Sequence, residues 1–256
     1  MTRGLALDDA AWASPWRGRR VADKVVLSAG LLTCAVALPA WPGGVLAGVA
    51  AGALMLGPGR VRPKLLLRCL SVPAAFILIG AVTVLVTVSW GSHGPQIGLA
   101  PQMLPTAAAL LVRGISGALA MFLLATTTPM VDLFAALRRA RLPDPLVEVA
   151  SLIYRLVFVL LESARTIREA QVVRLGHASR AAAYRSTSTL VAAVLVRSWT
   201  RARRLEDGLA GRGYVDALPT LDPPSYGSTR FVAASVLLVA GIVAASGLTT
   251  ALSGGA

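Results

Sequence analysis

The sequence predicts an all-α polytopic membrane protein, with about five transmembrane helices and a cytoplasmic insert of long amphipathic helices. Three observations carry that prediction. Apolar residues make up 55% of the 256 and charged residues only 14%, with a mean hydropathy of +0.69. That balance is too apolar for a soluble domain of ordinary composition. The apolar residues also come in blocks about as long as the roughly 20 residues that a spanning helix needs. Finally, basic residues crowd some of the intervening segments and are missing from others, as they do where loops alternate between two sides of a membrane.

Residues 1–24 mix acids, tryptophans and a proline ahead of any apolar core. They read as a cytoplasmic N-terminal segment and not as a cleavable signal peptide. The run from Val25 to Gly57 is too long for one span and is broken by Pro39-Ala40-Trp41-Pro42-Gly43-Gly44. This predicts a turn between two short spans, with Trp41 at the interface. Gly44, Gly48 and Gly52 recur every four residues and offer a close-packing face to another helix. A further span is expected from Leu70 to Trp90, containing Pro73 and the β-branched VTVLVTV, followed by a polar loop, GSHGPQIGLAPQM. Thr106 to Thr128 forms the next and carries Arg113, which either snorkels outward or pairs inside the bundle. Phe231 to Leu252 is the last, so residues 25–128 hold helices 1–4, 129–230 the insert, and 231–256 the last helix and an outer tail.

Residues 1–24 contain five Lys or Arg, 57–69 four and 129–230 fifteen, whereas 41–44, 91–105 and 253–256 contain none. Five spans with the N-terminus in the cytoplasm place every basic segment inside, as expected of a multi-pass plasma-membrane protein. The net charge of +13 is accounted for by this topology, and no nucleic-acid surface is expected.

The insert reads as helical. In Pro145–Leu161 the apolar run holds Glu148 and Arg155. Embedded charges cost roughly 2.5–3.5 kcal/mol each on insertion scales, so this segment is expected at the membrane surface or packed on other helices. Apolar residues from Leu146 to Ile167 step by three and four, and a second such series runs from Leu190 to Leu209 beside Arg197, Arg201, Arg203 and Arg204. Each series ends in an arginine and a glycine: Val173-Arg174-Leu175-Gly176 and Gly211-Arg212-Gly213. Each alone is a helix stop, with glycine as left-handed cap and arginine gaining about 0.3–1 kcal/mol from the helix dipole. The duplication points further, because a guanidinium at a helix tip presents a planar fork of donors to a partner's carboxylates or carbonyls.

Several functions are excluded by what is missing. No GxxxxGK[ST] loop is present, so ATP is not this chain's own substrate. His93 and His177 are the only histidines, Cys34 and Cys69 sit in or beside apolar runs, and no CxxC occurs. Neither a metal centre nor a disulfide framework is expected. The insert's carboxylates Asp132, Asp144, Glu148, Glu162, Glu169, Glu206, Asp207, Asp216 and Asp222 show neither DxxD nor HExxH spacing, which disfavours a membrane-bound enzyme with a cytoplasmic site.

Residues 125–176, ATTTPMVDLFAALRRARLPDPLVEVASLIYRLVFVLLESARTIREAQVVRLG, and 198–214, SWTRARRLEDGLAGRGY, resemble the T component of energy-coupling factor (ECF) transporters, the cobalt-type CbiQ family above all. The resemblance implies a non-catalytic coupling subunit of an ABC importer in the lipid bilayer. Two cytoplasmic ATPase subunits would use the ATP, and each would receive one X-Arg-X helix tip: Val173-Arg174-Leu175 and Gly211-Arg212-Gly213. A separate membrane S component would bind the substrate. Cobalt uptake is the implied task, and a T component for nickel or a vitamin is the alternative. The family's usual Ala-Arg-Gly is replaced by Val-Arg-Leu in the first tip and Gly-Arg-Gly in the second.

Overall fold

A computed structural model describes residues 3–91, 94–213 and 226–253. The chain divides into two compact units, Met1–Leu133 with Pro223–Ala256, and Phe134–Asp222.

The first unit is a helical bundle. Its helices are α1 (Arg3–Ala13), α2 (Val21–Ala37), α3 (Val45–Leu56), α4 (Pro63–Leu85), α5 (Leu104–Thr127), the start of α6 (Met130–Arg139) and α9 (Thr229–Ser253). Helix α5 is central and packs on α1, α2, α3 and α4, while α9 packs on α2. Among the described residues three stretches are long and apolar enough to cross a membrane: Pro63–Leu85, Pro101–Thr127 and Thr229–Ala251. At 1.5 Å per residue the 23 residues of the first and last reach about 35 Å, enough for a hydrocarbon core of about 30 Å. Helices α2 and α3 have only 17 and 12 residues. The expected short pair is therefore present, and its turn at Ala40–Gly44 leaves Trp41 77% exposed.

The interior is built from small side chains. Ala35, Ala47, Ala51 and Ala120 are almost fully buried beside Leu31, Met55 and Leu123, whereas Phe76, Ile79, Leu237 and Leu248 face outward. Lipid offers no hydrophobic gain from helix association, so close backbone approach and van der Waals packing hold such a bundle together. Gly48 has the closest approach of the glycine series, since a Cβ there would fall on the Ser116 side chain of α5. At Gly44 it would come 3.1 Å from Val112, and at Gly52 it would meet nothing. Two of the three glycines thus carry the packing face.

One expectation needs correcting here, and one open choice is resolved. The span forecast from Leu70 to Trp90 ends at Leu85, and the chain continues as β1 (Val86–Gly91) paired antiparallel with β2 (Gly94–Leu99), Val86 opposite Leu99. The β-branched residues that lengthen the apolar run are strand formers once the helix has ended. Part of the expected polar loop is therefore a ribbon, and His93 lies outside the described residues. Arg113 is also settled: its Nη2 donates to the carbonyl of Leu38, at 3.4 Å, where α2 ends. A cation at a helix C-terminus is favoured by the dipole.

The second unit comprises the rest of α6, α7 (Asp144–Val173) and α8 (Arg180–Ala210). Helix α8 begins ten residues before the apolar series at Leu190. Ser179 caps it by accepting from the Ala182 N–H, and Thr187, Ser188 and Thr189 donate back to backbone carbonyls within it. A polar first third held this way has no apolar period to read. In α7, Glu148 is buried and Arg155 exposed, while Leu146, Val149, Ile153, Val157 and Leu161 form one outward stripe. Most of the linker forecast at residues 218–229, with Asp216, Asp222 and the end of the tail, lies outside the described residues.

Candidate functional site

The two arginine tips terminate the two long helices of the second unit. Val173-Arg174-Leu175 ends α7, just before the short turn into α8, and Gly211-Arg212-Gly213 immediately follows α8. The 31 residues of α8 therefore hold the arginines apart by about 46 Å. They are two separate points and not one cluster.

At the first tip the amide of Gly176 donates to Gln171 O at 2.8 Å and that of Leu175 to Val172 O at 3.0 Å. This is the paired ending of a Schellman motif. The left-handed residue is Leu175, at φ +58, and not the expected Gly176. The glycine instead serves close packing: a Cβ there would lie 2.6 Å from Ser186 Oγ and 2.9 Å from Gln171 O. Ser186 Oγ donates to the Gly176 carbonyl and Gln171 Nε2 to the Ser186 carbonyl, both at 2.8 Å. This clasp locks the turn between α7 and α8. Val173 and Leu175 stand 83% and 74% exposed on either side of the exposed Arg174, so the arginine projects between two unburied apolar side chains.

The second tip ends differently. Gly211 is right-handed, at φ −66, with only Asp207 O within 4 Å of a would-be Cβ, so an alanine fits there. Gly213 carries the left-handed turn, at φ +68, where a side chain is strained. Arg212 Nη1 donates to the Gly208 carbonyl at 3.3 Å and so caps its own helix. Both arginines are exposed, but only Arg212 is engaged by the helix that carries it.

Between the tips, Arg155 of α7 and Arg197, Arg201 and Arg204 of α8 line a groove of about 670 Å³ together with leucines and valines. Among the described residues no carboxylate lines it. Among the described residues no three His, Cys, Asp or Glu come together as metal ligands, and His177 is exposed.

Sequence reasoning missed a second constellation, in the first unit. Lys24 is 2% exposed, and its Nζ donates to the carbonyl of Thr127 at 2.8 Å. Burial pulls its pKa down to about 8, with Asp132 opposing the shift and Arg19 reinforcing it. Its neighbour Asp23, 8% exposed, accepts from the Ser228 N–H at 3.2 Å through Oδ2. The one visible signal is an adjacent acid and base just before the first apolar run.

The chain matches the CbiQ family model, described as cobalt transport protein, over residues 13–220. It is 39% identical over 241 residues to the cobalt transport protein CbiQ of Rhodobacter capsulatus, covering 94% of this chain and 97% of that one. The CbiQ of Salmonella typhimurium is 30% identical over 54% of this chain and 65% of its own length. A Methanocorpusculum labreanum protein, named as a fused cobalt transport protein CbiMQ, is 29% identical over 81% of this chain and 36% of itself.

Proposed function

The chain belongs to the CbiQ cobalt transport protein family, and from that premise we propose that it is the transmembrane coupling subunit of an ECF-type importer for cobalt ion. The observation that carries this reading is the pair of exposed arginines ending α7 and α8, about 46 Å apart. That separation suits two docking points on two ATPase subunits better than a single binding site. ATP hydrolysis in those subunits moves the helix tips, and the motion passes to the bundle and on to a substrate-binding S component in the plasma membrane. The fused relative, of which this chain matches 36%, is named as joining a CbiQ part to a CbiM part in one cobalt transport protein, which supports a separate partner subunit for this chain.

Physical chemistry gives each tip a job. A guanidinium offers five donors in a fixed fork, and once a partner's groove excludes water its hydrogen bonds to carboxylates or carbonyls are the strong kind. Exposed Val173 and Leu175 add apolar area beside the first fork. At the second, glycines on both sides leave Arg212 free of bulk.

The test is the double variant Arg174→Ala, Arg212→Ala. It is expected to insert into membranes normally, to co-purify with ATPase subunits at least about tenfold less well, and to lose cobalt uptake. Losing one charge-assisted hydrogen bond at each tip is worth about 1.5–3 kcal/mol per site. Full uptake by the double variant removes the coupling role.

A further inference from the structure

The second unit is inserted between α5 and α9, so two crossings of the chain connect it to the bundle, one after Thr127 and one before Thr229. The bundle-side ends of both connections, Thr127 and Ser228, are held by the same two neighbouring residues, Asp23 and Lys24, in the first turn of α2.

At the outgoing crossing, α5 stops where Thr126, Thr127 and Thr128 meet Pro129. Proline disfavours the helical conformation of the residue before it, and Thr128 is extended, at φ −129 and ψ 107. The carbonyl of Thr127 therefore has no next turn to donate to it. Lys24 Nζ supplies the donor, placing a cation at the negative end of the α5 dipole. The corner is dry, with Thr126 and Thr127 1% exposed and Pro129 fully buried. Asp132, in the first turn of α6, adds its negative field to the same ammonium.

At the returning crossing the charges are reversed. The Asp23 carboxylate accepts from Ser228 N–H, at the positive end of α9. The residues on either side of Ser228 are tied to the same N-terminal segment: Tyr226 N–H donates to Gly18 O at 2.9 Å, Arg20 N–H donates to Tyr226 O at 3.2 Å, and the Phe231 ring stands edge-on to Trp16 at 5.2 Å.

We propose that Asp23 and Lys24 are a positioning pair, a joint fixing both crossings so that motion of residues 134–222 reaches the bundle and is not absorbed by slack in the connections. The proposal rests on the coupling reading above. A buried cation is an expensive way to tie two helices, and its desolvation opposes folding. Its use here matches a need for directional, dipole-matched attachment at the two places where force has to cross.

The test uses Lys24→Met and Asp23→Asn in the complete transporter, together with a nitroxide on Val131→Cys in α6. Both native cysteines are buried, so the label is selective. Lys24→Met is expected to assemble with the ATPases and keep hydrolysing ATP. Uptake per ATP should fall about tenfold, the factor for one lost charge-assisted hydrogen bond, and the nitroxide at the partly exposed Val131 position should become more mobile than in the otherwise wild-type chain. Asp23→Asn keeps an acceptor for Ser228 and is expected to fold, with a smaller fall in uptake per ATP. If uptake and hydrolysis fall in parallel, or the nitroxide mobility is unchanged in Lys24→Met, the pair does no positioning. Should Lys24→Met fail to insert, an unchanged uptake per ATP in Asp23→Asn overturns the joint and a reduced one upholds it. Failure of the wild-type chain to co-purify with any ATPase sinks the coupling reading instead, and the nitroxide still decides the joint.

Discussion

Leu175 is held at φ +58 with its side chain 74% exposed. For a residue with a β-carbon that conformation costs about 1–2 kcal/mol, and nothing among the described residues covers the leucine to offset it. Strain kept at an exposed helix tip is a reason to look for a partner. Leu175→Gly is therefore expected to stabilise the purified chain by about 0.5–1 kcal/mol, read as a higher melting temperature. The same change should weaken ATPase co-purification, because the apolar flank of Arg174 is lost. A variant that is stabilised and couples as well as wild type would show that the leucine only ends a helix. Lys24 poses the opposite problem at the same scale. Its burial comes from α5 and from residues about a hundred positions away, so no local pattern in the sequence announces it.

Among the helices, packing follows the small residues. Gly48→Ala puts a methyl group on Ser116, and overpacking of this kind costs about 1–3 kcal/mol. Gly52→Ala, with open space around it, is expected to be neutral or slightly stabilising because alanine is the better helix former. Melting curves of the two variants in the same detergent check the contrast, and equal loss in both would mean that the glycines matter only through backbone freedom. The long elements were legible because their periods are long: α5, α7 and α9 coincide with apolar runs or three-and-four spacing to within a few residues. The hairpin 86–99 was not, because a β-branched run bounded by glycine and proline reads equally as the end of a span. Helix α1 and the first third of α8 carry too little apolar period to signal a helix. The arginine tips were legible as positions, but the division of labour within them was not. Only three-dimensional closeness shows that Gly176 makes room for Ser186 while Leu175 takes the turn.

For the molecule as a whole, the basic residues in 1–24, 57–69 and 129–230 and their absence from 41–44, 91–105 and 253–256 predict an orientation that an epitope tag can test. A tag at the C-terminus is expected to be reached by antibody from outside intact cells, and a tag at the N-terminus only after permeabilisation. Protection of the C-terminal tag would refute five spans and with them the placement of the arginine tips on the ATPase side. The insertion of one unit inside another also orders events in time. Asp23 and Ser228 are 205 residues apart, so at a synthesis rate of about 5–20 residues per second the carboxylate waits roughly 10–40 s for its partner. Until α9 arrives, Asp23 serves only the N-terminus of its own helix, and α2 lacks one of its neighbours. A nascent chain stalled or cut short before α9 therefore carries an α2 that lacks one of its packing partners and the Ser228 N–H that Asp23 binds.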